Sequence, residues 1–346
     1  VNLLKRGRIE GHKVDDKSEP LENAVFGLFT ADCVKFSRDT AIMTAVSDEN
    51  GFFEFDDVPF GKYIVREIES PRGYILSDKE YTVSISEDGE VIEITAENKP
   101  ITVEISKRDI YGNELEGAEM VLENADGETV DKWTSDGKNH IVSKLGTGEY
   151  VLKEIAAPDG YIIATDIKFN VDVYGNVTVE NVDSKAVSDN GDPLITMVDD
   201  TTKVQISKQD ITTGEELPGA TLQIIDEDGN VVEEWVSTDE AHFIEGKLIA
   251  GKEYTLRETI APDGYEIANE IRFTVNEDGS VTEVVMYDEH TPDLETPPTV
   301  IIDIPHTGVS ADNSAELYLV ATAVIMVFGM VIYKKNDKEQ RKDDVK

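Results

Sequence analysis

Apolar and polar residues alternate in short runs along most of the chain. Tyr63-Ile-Val-Arg66, Tyr150-Val-Leu-Lys153 and Tyr254-Thr-Leu-Arg257 are three such runs, and Thr102-Val-Glu-Ile-Ser-Lys107 is another. A period of two predicts β-strands with one face on a core. In the first hundred residues strands are predicted at 24–29, 52–55, 62–67, 81–85 and 91–96, separated by turns such as Glu49-Asn-Gly51 and Glu87-Asp-Gly89. No stretch before residue 310 sustains a period of 3.6, so helices should be few and short. Five- to six-residue strands bounded by Gly, Asp and Asn predict antiparallel sandwiches.

One motif follows a predicted strand three times. The copies read Glu67-Ile-Glu-Ser-Pro-Arg-Gly-Tyr74, Glu154-Ile-Ala-Ala-Pro-Asp-Gly-Tyr161 and Glu258-Thr-Ile-Ala-Pro-Asp-Gly-Tyr265. Pro fixes φ and Gly supplies positive φ, so each strand should end in a tight turn. Repetition at a period of about one hundred residues predicts three tandem β-domains rather than one large fold. Their expected extents are 7–99, 100–200 and 201–290, with domains two and three the closer pair. Ile105-Ser-Lys-Arg-Asp109 matches Ile206-Ser-Lys-Gln-Asp210, and Trp133 matches Trp235.

The C-terminal part changes character. Residues 291–303 are Pro-rich and should be extended. Residues 317–333 carry no charge and are followed by Lys334-Lys335, which is the short end of a membrane-spanning helix. The tail 334–346 holds six basic and four acidic residues, against a net charge of -40 for the whole chain. That polarity places the tail inside and the acidic mass outside.

With 72 acidic and 32 basic residues, the surface repels nucleic acid and anionic lipid. The membrane is expected as a partner only through the C-terminal span. One cysteine, Cys33, excludes an intramolecular disulfide framework. Five scattered His, no Gly-rich phosphate loop and no Cys/His cluster at metal spacing leave little for an enzyme, a cofactor or a metal. Acidic turns such as Asp226-Glu-Asp-Gly229 are read as solvated turns. The chain begins at Val1 without Met or a signal-peptide core, so a fragment or processed form is expected.

Alternation also aims charged side chains inward. If Val103 and Ile105 face a core, so does Lys107, and the same parity holds for Lys208 after Val204 and Ile206. Ile9, Gly11 and Lys13 share a face in domain one. Leu152 and Glu154 share the apolar face of their strand. A core-facing Lys is costly unless paired or neutralised. Each domain's last strand supplies a third polar residue: Asn98, Asp199 or Asp288.

Two resemblances rest on these residues. Ile304-Pro-His-Thr-Gly308, then the apolar span and basic tail, resembles the Leu-Pro-x-Thr-Gly cell-wall sorting signal of Gram-positive surface proteins, with Ile304 in place of Leu. The resemblance implies that a sortase cuts between Thr307 and Gly308 and joins Thr307 to a peptidoglycan precursor or another pilin. Pro305 belongs to the motif and His306 occupies its variable position. A plain single-span membrane anchor is the alternative.

The repeated domains resemble the Cna B-type, or SpaA-type, prealbumin-like modules of Gram-positive adhesins and pilins, over nearly all of residues 7–290. The resemblance implies an Ig-like all-β sandwich in each domain, with an autocatalytic isopeptide bond from a first-strand Lys to a last-strand Asn or Asp, assisted by a Glu. Carried over by position, the sets are Lys13–Glu67–Asn98, Lys107–Glu154–Asp199 and Lys208–Glu258–Asp288, with domain one the looser match. Burial favours a neutral, nucleophilic amine and a protonated carboxyl. The reaction occurs once per molecule, so the protein is not an enzyme in the turnover sense. These features imply a wall-anchored surface protein, an adhesin stalk or ancillary pilin. An adhesin whose modules bind host matrix and the polymerising pilin subunit are the alternatives.

Overall fold

The computed structural model describes residues 5–180 and 187–292. Among them every regular element is a strand. The predicted sorting pentapeptide Ile304–Gly308, the predicted span 317–333, the tail 334–346 and most of the 291–303 linker lie outside the described residues. Among the described residues no helix is long and apolar enough to cross a membrane.

The first module contains β1 (Arg6–Asp15), β2 (Val25–Thr30), β3 (Met43–Val46), β4 (Phe52–Pro59), β5 (Gly61–Glu69), β6 (Glu80–Ile85) and β7 (Val91–Asn98). The second contains β8 (Thr102–Asp109), β9 (Glu116–Asn124), β10 (Thr129–Asp136), β11 (His140–Ser143), β12 (Gly148–Ala156), β13 (Ile167–Val171), β14 (Val177–Val179) and β15 (Leu194–Asp199). The third contains β16 (Lys203–Asp210), β17 (Thr221–Ile225), β18 (Val231–Val236), β19 (His242–Glu245), β20 (Glu253–Ile260), β21 (Ile271–Thr274) and β22 (Thr282–Asp288).

Each module is two sheets. A three-stranded sheet has the order β4-β1-β7, β11-β8-β15 or β19-β16-β22. The other sheet has the order β3-β2-β5-β6, β10-β9-β12-β13-β14 or β18-β17-β20-β21. Between them lies a core such as Val103, Ile105, Leu122, Leu152, Phe169 and Met197 of the second module. Period-two burial drives this packing: β1 buries Ile9, Gly11, Lys13 and Asp15 and leaves the alternate positions more open.

The structure refines the antiparallel expectation in one respect. In every module the first and last strands pair in parallel: β1 with β7, β8 with β15, β16 with β22. All other pairings within the sheets are antiparallel. A parallel pair made of first and last strands brings the chain in at one end of the sheet and out at the other. Such modules can be strung end to end.

Local packing differs among the modules. Gly11 of the first occupies the position held by Ile105 and Ile206 in the others. The space is filled by Phe53, whose ring would lie 2.1 Å from a Cβ at Gly11 and which stacks on Phe26 at 3.9 Å between centroids. In modules two and three a Trp stacks on a His, Trp133 on His140 at 4.0 Å and Trp235 on His242 at 4.4 Å.

Candidate functional site

Each predicted Lys lies on the inner face of the three-stranded sheet: Lys13 is 0 %, Lys107 2 % and Lys208 1 % exposed. Parallel pairing sets their partners. Lys107 faces Met197 in register, and Asp199 stands two residues further along the same face. Lys208 faces Met286 with Asp288 two further, and Lys13 faces Ala96 with Asn98 two further. Asn98, Asp199 and Asp288 are all buried.

The Glu comes from the opposite sheet and reaches across the core. Glu67, Glu154 and Glu258 on β5, β12 and β20 are 3 %, 5 % and 4 % exposed. A pairing irregularity follows each of them, where register shifts between Glu67 and Glu69, Glu154 and Ala156, and Glu258 and Ile260. A bulge adds a residue and re-aims neighbouring side chains. The motif turn then brings the chain back. Its i to i+3 bonds run from Tyr74 N to Pro71 O, Tyr161 N to Pro158 O and Tyr265 N to Pro262 O, each 3.1 Å, with Gly73, Gly160 and Gly264 at φ 85, 86 and 88°. Ten residues beyond each Glu a backbone N–H donates to its Oε2: Ser77 at 3.0 Å, Ala164 at 2.7 Å and Ala268 at 2.7 Å. Sequence reading missed both the bulge and this donor. The constant spacing of small residues Ser77, Ala164 and Ala268 after the motif is the one signal that points to it.

In module two Lys107 Nζ donates to Asp199 Oδ1 and lies 3.2 Å from Glu154 Oε1. In module three Lys208 Nζ donates to Asp288 Oδ1 and lies 3.2 Å from Glu258 Oε1. The second oxygens, Asp199 Oδ2 and Asp288 Oδ2, are buried without a hydrogen-bond partner. Desolvation pushes Asp199 up to about 7, against the pull of Lys107 and with a further push from Glu154. Desolvation likewise raises Glu258.

Module one is arranged differently. Lys13 Nζ donates to the carbonyls of Ala96 (3.3 Å) and Val14 (3.2 Å), while Asn98 Nδ2 donates to Glu67 Oε1 at 2.9 Å. Asn98 Oδ1 is buried without a hydrogen-bond partner. Desolvation lowers Lys13 to about 8 and raises Glu67. The predicted Lys, Glu and Asp are thus in mutual reach in modules two and three, while in module one Asn98 meets Glu67 and Lys13 bonds to backbone carbonyls instead.

Chemically, in modules two and three each set holds an amine against an Asp carboxyl and beside a Glu, all out of water. In module one the amine is held instead by the backbone carbonyls of Val14 and Ala96, the latter on the strand that carries Asn98. Condensation of an ammonium with a carboxylate balances as one amide plus one water. With an amide it balances as one new amide plus one ammonium ion. The Glu would take a proton from the amine and pass one to the departing oxygen or nitrogen.

Among the described residues no group of three or more His, Cys, Asp or Glu side chains could hold a metal ion. In the turn at Asp226 the carboxylate is taken up by Asp228 N, Asn230 N and Asn230 Nδ2.

The family model of the SpaA prealbumin-like fold domain matches residues 7–100, 101–185 and 202–290. Similar solved structures include the Bacillus anthracis TIE protein, at 25% identity and TM-score 0.41, covering 82% of this chain and 51% of that one. This chain therefore spans about half the length of that protein. The major pilin subunit BcpA of Bacillus cereus matches at 16% identity and TM-score 0.36, covering 83% of this chain and 100% of that one. A streptococcal ancillary pilin matches at 20% identity and TM-score 0.33, covering 83% and 100%. Comparison with curated proteins finds no match.

Proposed function

We propose, from the premise that the chain belongs to the SpaA prealbumin-like domain family, that it is a structural surface protein, a stalk or ancillary pilin whose modules are each closed by a Lys–Asp or Lys–Asn amide. The observation that carries this reading is the buried Lys–Glu–Asp/Asn set, repeated three times at one register offset. A single Lys–carboxylate pair would be an ordinary buried ion pair. Three sets, each with a Glu fixed by a backbone N–H, are organised for reaction.

The parallel pairing gives the bonds a mechanical role. Tension entering at the start of β8 would run along the strand to Lys107, cross to Asp199 and leave toward β16. The residues between, a span of 92 positions, would carry no load. The corresponding span in module three is 80 positions. The same route runs from Lys13 to Asn98. Catalysis is limited to one self-maturation event per site, assisted by Glu67, Glu154 and Glu258.

Joining of Thr307 to a peptidoglycan precursor or another pilin by a sortase, after transient insertion of 317–333, completes the wall-anchored reading; Ile304, Pro305, His306, Thr307 and Gly308 are its recognition residues. Single-molecule pulling on the full chain tests the load path. The bonded protein should reach its contour length without module-unfolding steps. The Glu67→Ala/Glu154→Ala/Glu258→Ala variant should show three. Unfolding steps of full module length in the parent protein would refute the stalk mechanism.

A further inference from the structure

The motif turn does more than bring the chain back toward the Glu. Its glycine carbonyl accepts a backbone bond from the start of the next stretch of chain: Gly73 O from Ile101 N and Gly160 O from Thr202 N, both 2.9 Å. Two residues after the glycine, Ile75 N donates to Lys99 O and Ile162 N to Asp200 O, again both 2.9 Å. The third turn makes the same two bonds, Thr291 N to Gly264 O and Glu266 N to Glu289 O, both 2.9 Å, so the turn holds the chain as it leaves its own module.

The following module then packs onto that turn. A Cβ on Gly73 would stand 2.6 Å from Lys144 O, and one on Gly160 would stand 2.2 Å from Gly246 O. Lys144 and Gly246 are equivalent, each being the first residue after β11 or β19, and both have positive φ, 60 and 68°. Around the first joint Ile75 packs against the core of module two, Leu76 N donates to Val173 O at 2.8 Å, and Lys144 Nζ lies 5.3 Å over the Tyr74 ring. At the second, Tyr111 and Thr201 both donate to Glu245 Oε1, at 2.9 and 2.7 Å. In the third copy no described atom lies within 4 Å of a Cβ on Gly264.

We propose that the Pro-x-Gly-Tyr turn is the docking surface for the next module of the same chain, a joint that fixes the angle between successive modules. Glycine is needed there for two reasons, positive φ and the absence of a side chain against the neighbour's carbonyl. Gly264 meets only the first requirement.

Cys33 is the chain's one cysteine, so Asp126→Cys in an exposed turn of module two gives a spin-label pair in the full chain. The pair should give one narrow distance distribution by pulsed electron resonance. Gly73→Ala should broaden or shift it, as should Ile75→Ala, which leaves backbone φ untouched. Gly89→Ala, at φ 78° in module one with nothing within 4 Å of its Cβ, should leave it unchanged. Far-UV circular dichroism verifies that each variant is folded. Unchanged distributions in both Gly73→Ala and Ile75→Ala, or equal broadening in Gly89→Ala, would overturn the joint.

Discussion

Asp199 lies two residues past the position that faces Lys107 across the parallel β8–β15 pair, and its Oδ1 accepts from the Lys107 amine. The same offset relates Lys208 to Asp288 and Lys13 to Asn98. Same-face side chains at this offset on neighbouring strands are within reach of one long side chain. The bond proposed here therefore needs no distortion of the sheet, only a dry core and a Glu.

Removing that Glu should stop the reaction. Glu154→Ala and Glu258→Ala should each leave one module unbonded, one water heavier by intact mass, with its fold retained. Loss of the covalent loop should lower that module's stability by about 4–5 kcal/mol on the chain-entropy model of cross-links. Urea unfolding followed by circular dichroism reads the difference. Bonds that form unaided in both variants would remove the Glu from the mechanism.

Lys13 makes module one sensitive to pH when the bond is absent. Asn98→Ala removes the acceptor and none of the groups that shift the amine. The folded amine titrates at about 8, below its unfolded value of 10.5. Between those values the unfolded state binds more protons, so stability should rise from pH 8 to 10.5 and be flat below. The bonded parent has no amine left to titrate there. A urea midpoint with the same pH dependence in both proteins would contradict a bonded Lys13.

Gly11→Ala should destabilise module one, because its Cβ collides with the Phe53 ring in a core already filled. Overpacking of this kind costs about 1–3 kcal/mol. Combining it with Phe53→Leu should recover part of the loss, measured by the same urea midpoints. No loss in the single variant would show that Phe53 has room to move.

Thr307→Ala should abolish wall attachment in a sortase-bearing host and shift the protein to membrane or medium. Cell fractionation with immunoblotting measures it. Equal wall attachment would sink the sorting reading and leave a plain membrane anchor.

Much of this site can be read from alternation alone. Val103, Ile105 and Lys107 share a face, and burial of the first two carries the third inward. Leu152 does the same for Glu154. What the residue pattern does not reveal depends on partners far away in sequence. The bulge after each Glu and the parallel union of first and last strands arise from pairing between distant segments. Glu104 is a further case: alternation points it outward, yet it is 3 % exposed, because Ser188, Asn190 and Asn139 all donate to it. Their combined bonds make burial of that carboxylate tolerable and hold it below the usual carboxylate range. The turn at Pro158-Asp-Gly160 was legible as a turn, but its role between modules depends on Gly246 some eighty residues later.

The most direct test is the intact mass of a folded fragment spanning residues 5–292. Bonds at Lys107–Asp199 and Lys208–Asp288 each release a water, and a bond at Lys13–Asn98 releases ammonia. The fragment should therefore weigh two waters and one ammonia less than its sequence, with three cross-linked peptides after digestion. A folded fragment at full sequence mass would contradict the bonds outright and leave three ordinary acidic β-modules.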